Sequence, residues 1–182
     1  MKFRSVFSVL FAISGLIASA ADRPNILWLS TEDISPHIGF MGDPHAITPN
    51  LDQLANEGVV FNRTYTSAGV CAPVRSAIIT GMYQSSIGTQ HMRSAAYLPD
   101  HIELFPTYLR RAGYYTSNNS KTDYQLPKDE PATKGAWDDS SGKGHWCNRP
   151  NKDQPFFAVF NFGGTHESGI QSDSKYNDVT AD

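Results

Sequence analysis

Residues 25–33 read "NILWLSTED", a short and nearly continuous apolar run behind Pro24 that ends in polar and acidic residues. A run of this kind suits a strand buried on both faces, as in parallel sheets. Glu32 and Asp33 then stand at the strand's carboxyl end, the edge where open α/β sheets gather ligands.

The rest of the chain extends that reading. "PFFAVFNF" (155–162) and "YYTSN" (114–118) read as two further strands, and "VVFNRTYT" (59–66) as strand-like. Between them lie helical signals. In "TPNLDQLANEG" Thr48 is the N-cap, Pro49 takes the first helical position, Leu51, Leu54 and Ala55 share a face, and Gly58 stops the helix. "VRSAIITG" predicts a short helix closed by Gly81, and "LFPTYLRRAG" another closed by Gly113. Strands alternating with helices predict an α/β fold, a largely parallel central sheet flanked by helices on both sides. The stretch from Pro127 to Pro150 is polar and rich in Gly, Pro and Asp, which predicts a long surface excursion. The last residues, "SGIQSDSKYNDVTAD", show no apolar periodicity.

Of the 182 residues, 40% are apolar and 18% charged, ordinary globular material sufficient for one domain with a core. The net charge of -3 and the scatter of the Lys and Arg residues exclude an electrostatic footprint for nucleic acid. Residues 1–20 differ: Lys2 and Arg4 precede "VFSVLFAISGLIA", which ends in "ASA". That pattern is a secretory signal peptide cleaved after Ala20, leaving 21–182 as the mature portion, exported to the periplasm or beyond. Ser and Gly interrupt the apolar run, which falls short of the roughly 20 residues of a spanning helix, so no stable membrane anchor is expected.

In an oxidising compartment the two cysteines, Cys71 and Cys147, are candidates for a disulfide. The neighbours of Cys71 raise alternatives. In "CAPVRSAIITG" (71–81) a helix starting at Pro73 would place Cys71 at its mouth, where free backbone N–H groups favour anions. Arg75, four residues on, would reach back toward position 71. Such a corner suits a low-pKa thiolate nucleophile, although no base adjoins it in sequence.

Cys-x-Pro-x-Arg followed by "SAIITG" resembles the signature of the type I sulfatases, formylglycine-dependent members of the alkaline phosphatase superfamily. The resemblance implies that Cys71 is a precursor, oxidised to formylglycine by a maturing enzyme, and that Arg75 supports it. A gem-diol at that position would attack sulfur and later expel sulfate as the aldehyde re-forms. It also implies a divalent cation, Ca²⁺ with Mg²⁺ as the alternative, held by Glu32, Asp33 and the group at position 71, since hard oxygen ligands suit Ca²⁺.

"GYYTSNNSKTDY" (113–124) resembles the second sulfatase signature, with Lys121 matching the lysine that contacts formylglycine and sulfate. Ser120 stands where glycine is usual and Asp123 where histidine is usual. If the segment is extended, Lys121 and Asp123 share a face and Asp123 reaches position 71. A carboxylate there would repel sulfate unless Lys121 or the metal neutralises it.

"PFFAVFNFGGTHES" resembles the strand that ends in a histidine near the leaving group, so His166 is expected to protonate the departing atom. His91, in "GTQHMR", falls where bacterial relatives of heparan N-sulfatase carry a substrate-facing histidine. "KTDY" and "THES" also look like those sulfamidase-like enzymes. The implied partners are a sulfated polysaccharide or glycosaminoglycan-like substrate, its sulfate an ester or a sulfamate, and the maturing enzyme.

The resemblance runs from about Asn25 to His166. Family members are longer, so the chain is expected to hold the N-terminal part of the catalytic domain, truncated before the C-terminal subdomain, with only part of the metal and sulfate ligands. Two other readings stay open: a non-catalytic secreted module with a Cys71–Cys147 disulfide, and a superfamily relative acting on phosphate, against which Cys-x-Pro-x-Arg argues.

Overall fold

The structure, a computed structural model, describes residues 23–171, 173 and 174. The signal peptide read over residues 1–20 lies outside the described residues.

Three of the expected strands form with nearly the expected bounds: β1 (Ile26–Thr31), β2 (Tyr115–Asn119) and a later one over Phe156–Phe162. A two-residue strand, β3 (Asp139–Ser140), precedes the last, which is therefore β4. All pair in parallel in the order β1-β4-β2-β3. Ile26 stands opposite Phe157 on one side of β4, and Tyr115 opposite Phe156 on the other. The carboxyl ends of β1, β4 and β2 thus lie side by side.

The helices follow their punctuation. α1 (Pro49–Glu57) has Pro49 in its first turn and ends at Gly58. α2 (Cys71–Thr80) stops where Gly81, at φ 68°, takes the left-handed conformation that ends a helix without strain. α3 (Gln84–Ile87) is one turn long, and α4 (Phe105–Arg111) runs out before Gly113 at φ 91°.

Period-two alternation along β4 serves two layers. Phe157 faces α2, α4 and a short α5 (Pro131–Ala136), in a core with Ile79, Leu104, Tyr124 and Trp137. Trp137 stacks on the Phe157 ring at 5.8 Å, and Phe105 meets it edge-on at 5.3 Å. Phe156 and Phe160 point the other way, under Trp146, at 5.5 and 5.4 Å.

Four expectations need correction. β1 is not buried on both faces: it is the edge of the described sheet, with Leu27 and Leu29 49% and 58% exposed. Residues 59–66 form no strand, and their side chains stand largely exposed, because no described strand offers them a ladder. The excursion from Pro127 to Pro150 is partly core: Glu130 caps α5 by accepting from the Ala132 N–H, Pro131 occupies the first turn, and Ala136 and Trp137 are buried. Residues 120–125 are not extended either, since Asp123 and Gln125 take positive φ values of 50° and 62°. Among the described residues no helix is long and apolar enough to cross a membrane.

Candidate active site at the carboxyl ends of the strands

Glu32 and Asp33 follow β1, Lys121 and Asp123 follow β2, and His166 follows β4. Parallel pairing brings these three loops together, and α2 presents Cys71 to them. The helix begins at Cys71 itself rather than at Pro73, with Val70 as an extended N-cap. Its first-turn N–H groups have no intrahelical acceptor, and Pro73 in that turn has none to lose.

The centre of the arrangement is a polar side chain that sequence reading passed over. Asn161, on the helix-facing side of β4, donates to Asn118 Oδ1 at 3.0 Å and to the Asn119 carbonyl at 3.1 Å. Its own Oδ1 accepts from Arg75 Nη1 and from the Ser30 hydroxyl, both at 3.0 Å. One amide therefore ties β1, β2, β4 and α2 together. The available signal was a lone amide inside the apolar run "FFAVFNF".

Arg75 does not turn back on position 71 as its spacing predicted. Its Nε donates to the Thr122 carbonyl at 2.8 Å and its Nη2 to the Lys121 carbonyl at 2.6 Å. The guanidinium, 5.8 Å over the Tyr124 ring, clamps the loop that carries Lys121 and Asp123. Burial pushes the Tyr124 phenol up, and Arg75 partly offsets that shift.

Lys121 Nζ lies 2.9 Å from Glu32 Oε1, with Glu32 only 9% exposed. Glu32 is further fixed by its backbone: its N–H donates to the Phe162 carbonyl at 3.2 Å, and its carbonyl accepts from the Thr165 hydroxyl. Asp33, at φ 45°, accepts from the Glu167 N–H through Oδ2 at 3.0 Å. Glu32, Asp33 and His166 each offer an atom within 4.8 Å of the others, a group able to hold a metal ion.

His166 differs from the two carboxylates in what it can offer. Its Nδ1 accepts from the Ser168 backbone N–H at 3.1 Å, with the Ser168 hydroxyl 3.0 Å away. With Nδ1 occupied by a backbone donor, the neutral ring carries its proton on Nε2 and acts as a donor. The metal-binding atoms are then carboxylate oxygens, a donor set that fits Ca²⁺ or Mg²⁺ rather than a soft metal.

Asp123 Oδ2 lies 3.9 Å from Cys71 Sγ, so the residue standing where histidine was expected does meet position 71. Its other oxygen accepts from Arg93 at 2.8 Å, a pairing with no precedent in the sequence reading. His91 sits in the same loop as Arg93: its carbonyl accepts from the Gln125 side chain, and its ring is exposed. Both cysteines are free; Cys71 is half-buried and Cys147 exposed, without the bridge that a disulfide module would use.

Residues 24–182 match the family model for Sulfatase. The chain is 51% identical over 161 residues to the ulvan-active sulfatase of Formosa agariphila, covering 82% of this chain and 26% of that protein. It is 36% identical over 119 residues to the N-acetylgalactosamine-6-sulfatase of Rattus norvegicus, covering 58% of this chain and 22% of the relative. The chain thus spans about a quarter of the length of these curated relatives. A solved structure in complex with its substrate D-glucosamine-2-N,6-O-disulfate superposes with a TM-score of 0.64, covering 81% of this chain and 36% of that one at 20% identity, a likeness of fold.

Proposed function

The chain belongs to the sulfatase family, and from that premise we propose that the loops after β1, β2 and β4, with the first turn of α2, form the sulfate-handling half of a sulfuric ester hydrolase acting on a sulfated carbohydrate. What supports this most is the connected arrangement itself. Arg75 of α2 fixes the loop bearing Lys121 and Asp123, Lys121 pairs with Glu32, and Asp123 meets Cys71.

In this reading Cys71 is the precursor of formylglycine, which supplies the nucleophile, and a Ca²⁺ or Mg²⁺ held by Glu32 and Asp33 supplies positive charge for the sulfate oxygens. The chain's own residues then have distinct tasks. The first turn of α2 offers unpaired N–H groups toward an anion at position 71. Lys121 brings a cation that neutralises sulfate charge, and Arg75 acts by holding the Lys121 and Thr122 carbonyls, a positioning role rather than contact with sulfur.

Nε2 of His166 donates a hydrogen bond to the departing sugar oxygen and stabilises the charge that develops there, its direction fixed because the Ser168 N–H occupies Nδ1. Asp123 orients the group at position 71, while Arg93 offsets its repulsion of sulfate. His91 stands at the rim as a substrate contact. Export through residues 1–20 and encounter with a maturing enzyme belong to the same reading, as does the assignment of residues 21–182 to the N-terminal portion of the catalytic domain. A sulfamate in place of the ester would use the same groups.

The test is mass spectrometry of the Cys71 peptide after co-expression with a maturing enzyme, with sulfate release from sulfated oligosaccharides measured in parallel. Conversion of the thiol to the aldehyde or its hydrate, with release of sulfate, is expected. A persistent thiol, or a Cys71–Cys147 bridge in non-reducing peptide maps, overturns it.

A further inference from the structure

Two segments meet beside Cys71, and a buried glutamine to which the mechanism gives no task joins them. Gln125 is 5% exposed, and both ends of its side-chain amide bond the backbone of the loop that carries His91 and Arg93. Its Oε1 accepts from the Arg93 N–H at 2.9 Å, and its Nε2 donates to the His91 carbonyl. Its own carbonyl accepts from the Ala96 N–H at 3.1 Å. One residue thus fastens the backbone of residues 91, 93 and 96 to the chain that follows β2.

The backbone around these bonds explains why a fastening is needed. Arg93, Asp123 and Gln125 take φ values of 62°, 50° and 62°, a region that costs free energy for residues other than glycine and persists where the surroundings impose it. Here the two segments impose it on each other. Gln125 fixes the Arg93 backbone, and the Arg93 side chain returns to Asp123 Oδ1 at 2.8 Å. Asp123 in turn places its other oxygen 3.9 Å from Cys71 Sγ. With the Arg93 side chain 72% exposed, such an ion pair is weak on its own. Holding the arginine's backbone in place reduces the entropy lost when the pair forms.

The geometry points to Gln125 as a positioning residue: by fastening the Arg93 backbone it keeps the guanidinium on Asp123, and so limits the repulsion between that carboxylate and a sulfate at position 71. The inference rests on the sulfatase reading above and extends it to a residue that acts through Arg93 rather than on sulfate itself.

Calorimetric binding of inorganic sulfate to the full chain tests it. Gln125→Met keeps the side-chain length and removes both amide hydrogen bonds. That variant and Arg93→Gln each weaken sulfate binding about tenfold, the effect of one uncompensated charge nearby, and the double variant is no weaker than Arg93→Gln alone. In an Asp123→Asn background neither change weakens binding, because no charge is left to offset; a merely structural loss of the loop would weaken it there too. Where Gln125→Met does not fold, Gln125→Asn carries the same cycle: asparagine suits the positive φ but is one methylene shorter, and it weakens binding about threefold. Unchanged sulfate binding in the folded variant, or a loss that persists undiminished beside Asp123→Asn, overturns the proposal. In the matured protein, kcat/KM for a sulfated oligosaccharide falls by the same factor at equal folded fraction. If sulfate binding behaves as stated while no ester is ever hydrolysed, the hydrolytic function falls and the role of Gln125 stands. If esters are hydrolysed and the Gln125 variants are indifferent, that role falls and the function stands.

Discussion

The two flanks of the sheet are built differently although they share β4. On the β2 side the strand is closed in: Thr116, Ser117 and Asn118 are fully buried, the Thr116 hydroxyl reaches the Ala136 carbonyl at 3.1 Å, and the Asn118 amide reaches Ser140 at 3.0 Å. On the β1 side Leu27 and Leu29 face solvent, and the neighbouring 59–66 segment pairs with nothing described. The proposed site straddles this boundary. Lys121, Asp123 and Arg75 stand on the closed flank, whereas Glu32 and Asp33 stand on the open one and are coupled to it through Lys121 and the loop after β4. What the difference teaches is that the flank bearing Lys121, Asp123 and Arg75 is held by buried hydrogen bonds, and that Glu32 and Asp33 on the open flank are fixed through Lys121 and the loop after β4.

The comparison breaks most severely at Phe157, the closed flank's central ring, 1% exposed and in contact with Trp137, Phe105 and Trp28. Phe157→Ala is expected to lower the unfolding free energy by about 4 kcal/mol, transfer and cavity terms together. Urea titration followed by tryptophan fluorescence reads it; a loss near 1 kcal/mol would mean that the core does not depend on this strand.

Asn161→Leu comes next. It leaves Asn118 Oδ1, the Asn119 carbonyl, the Ser30 hydroxyl and one Arg75 N–H without their present partner, a loss of about 3 kcal/mol. Sulfate release should fall further than the folded fraction does, because the loop carrying Lys121 loses its anchor. Arg75→Lys sharpens the same point at about 2 kcal/mol: an ammonium cannot span the Lys121 and Thr122 carbonyls and Asn161 at once. The double variant should lose less than the sum of the two, since both act on one network. Full additivity in denaturant unfolding would dissolve the network as a unit.

These particulars also show what sequence could and could not reveal. β1, β2, β4 and the three longer helices were legible because apolar runs, Pro at the first turn and Gly at the stop are local signals. Residues such as Lys121, Asp123, Glu32 and His166 could be singled out as belonging together only by resemblance. Asn161, Gln125 and Arg93 were not legible, since what makes an amide a hub or a loop arginine a neighbour of position 71 is a meeting of segments up to 131 residues apart. α5 is a different case: Glu130 as cap and Pro131 behind it were local signals, outweighed by the Gly, Pro and Asp content around them.

The smallest effect belongs to the open flank. Leu29 lies in the edge strand, 58% exposed, against the groove that β1 forms with α1. Leu29→Lys removes little buried area, so the unfolding free energy should stay within about 0.5 kcal/mol. It should also raise the concentration at which the chain self-associates in sedimentation velocity, because a lysine on an exposed edge discourages strand addition. A loss as large as that of Phe157→Ala would mean that something covers β1 in solution, and the contrast between the flanks would then belong to the described residues and not to the protein as it folds.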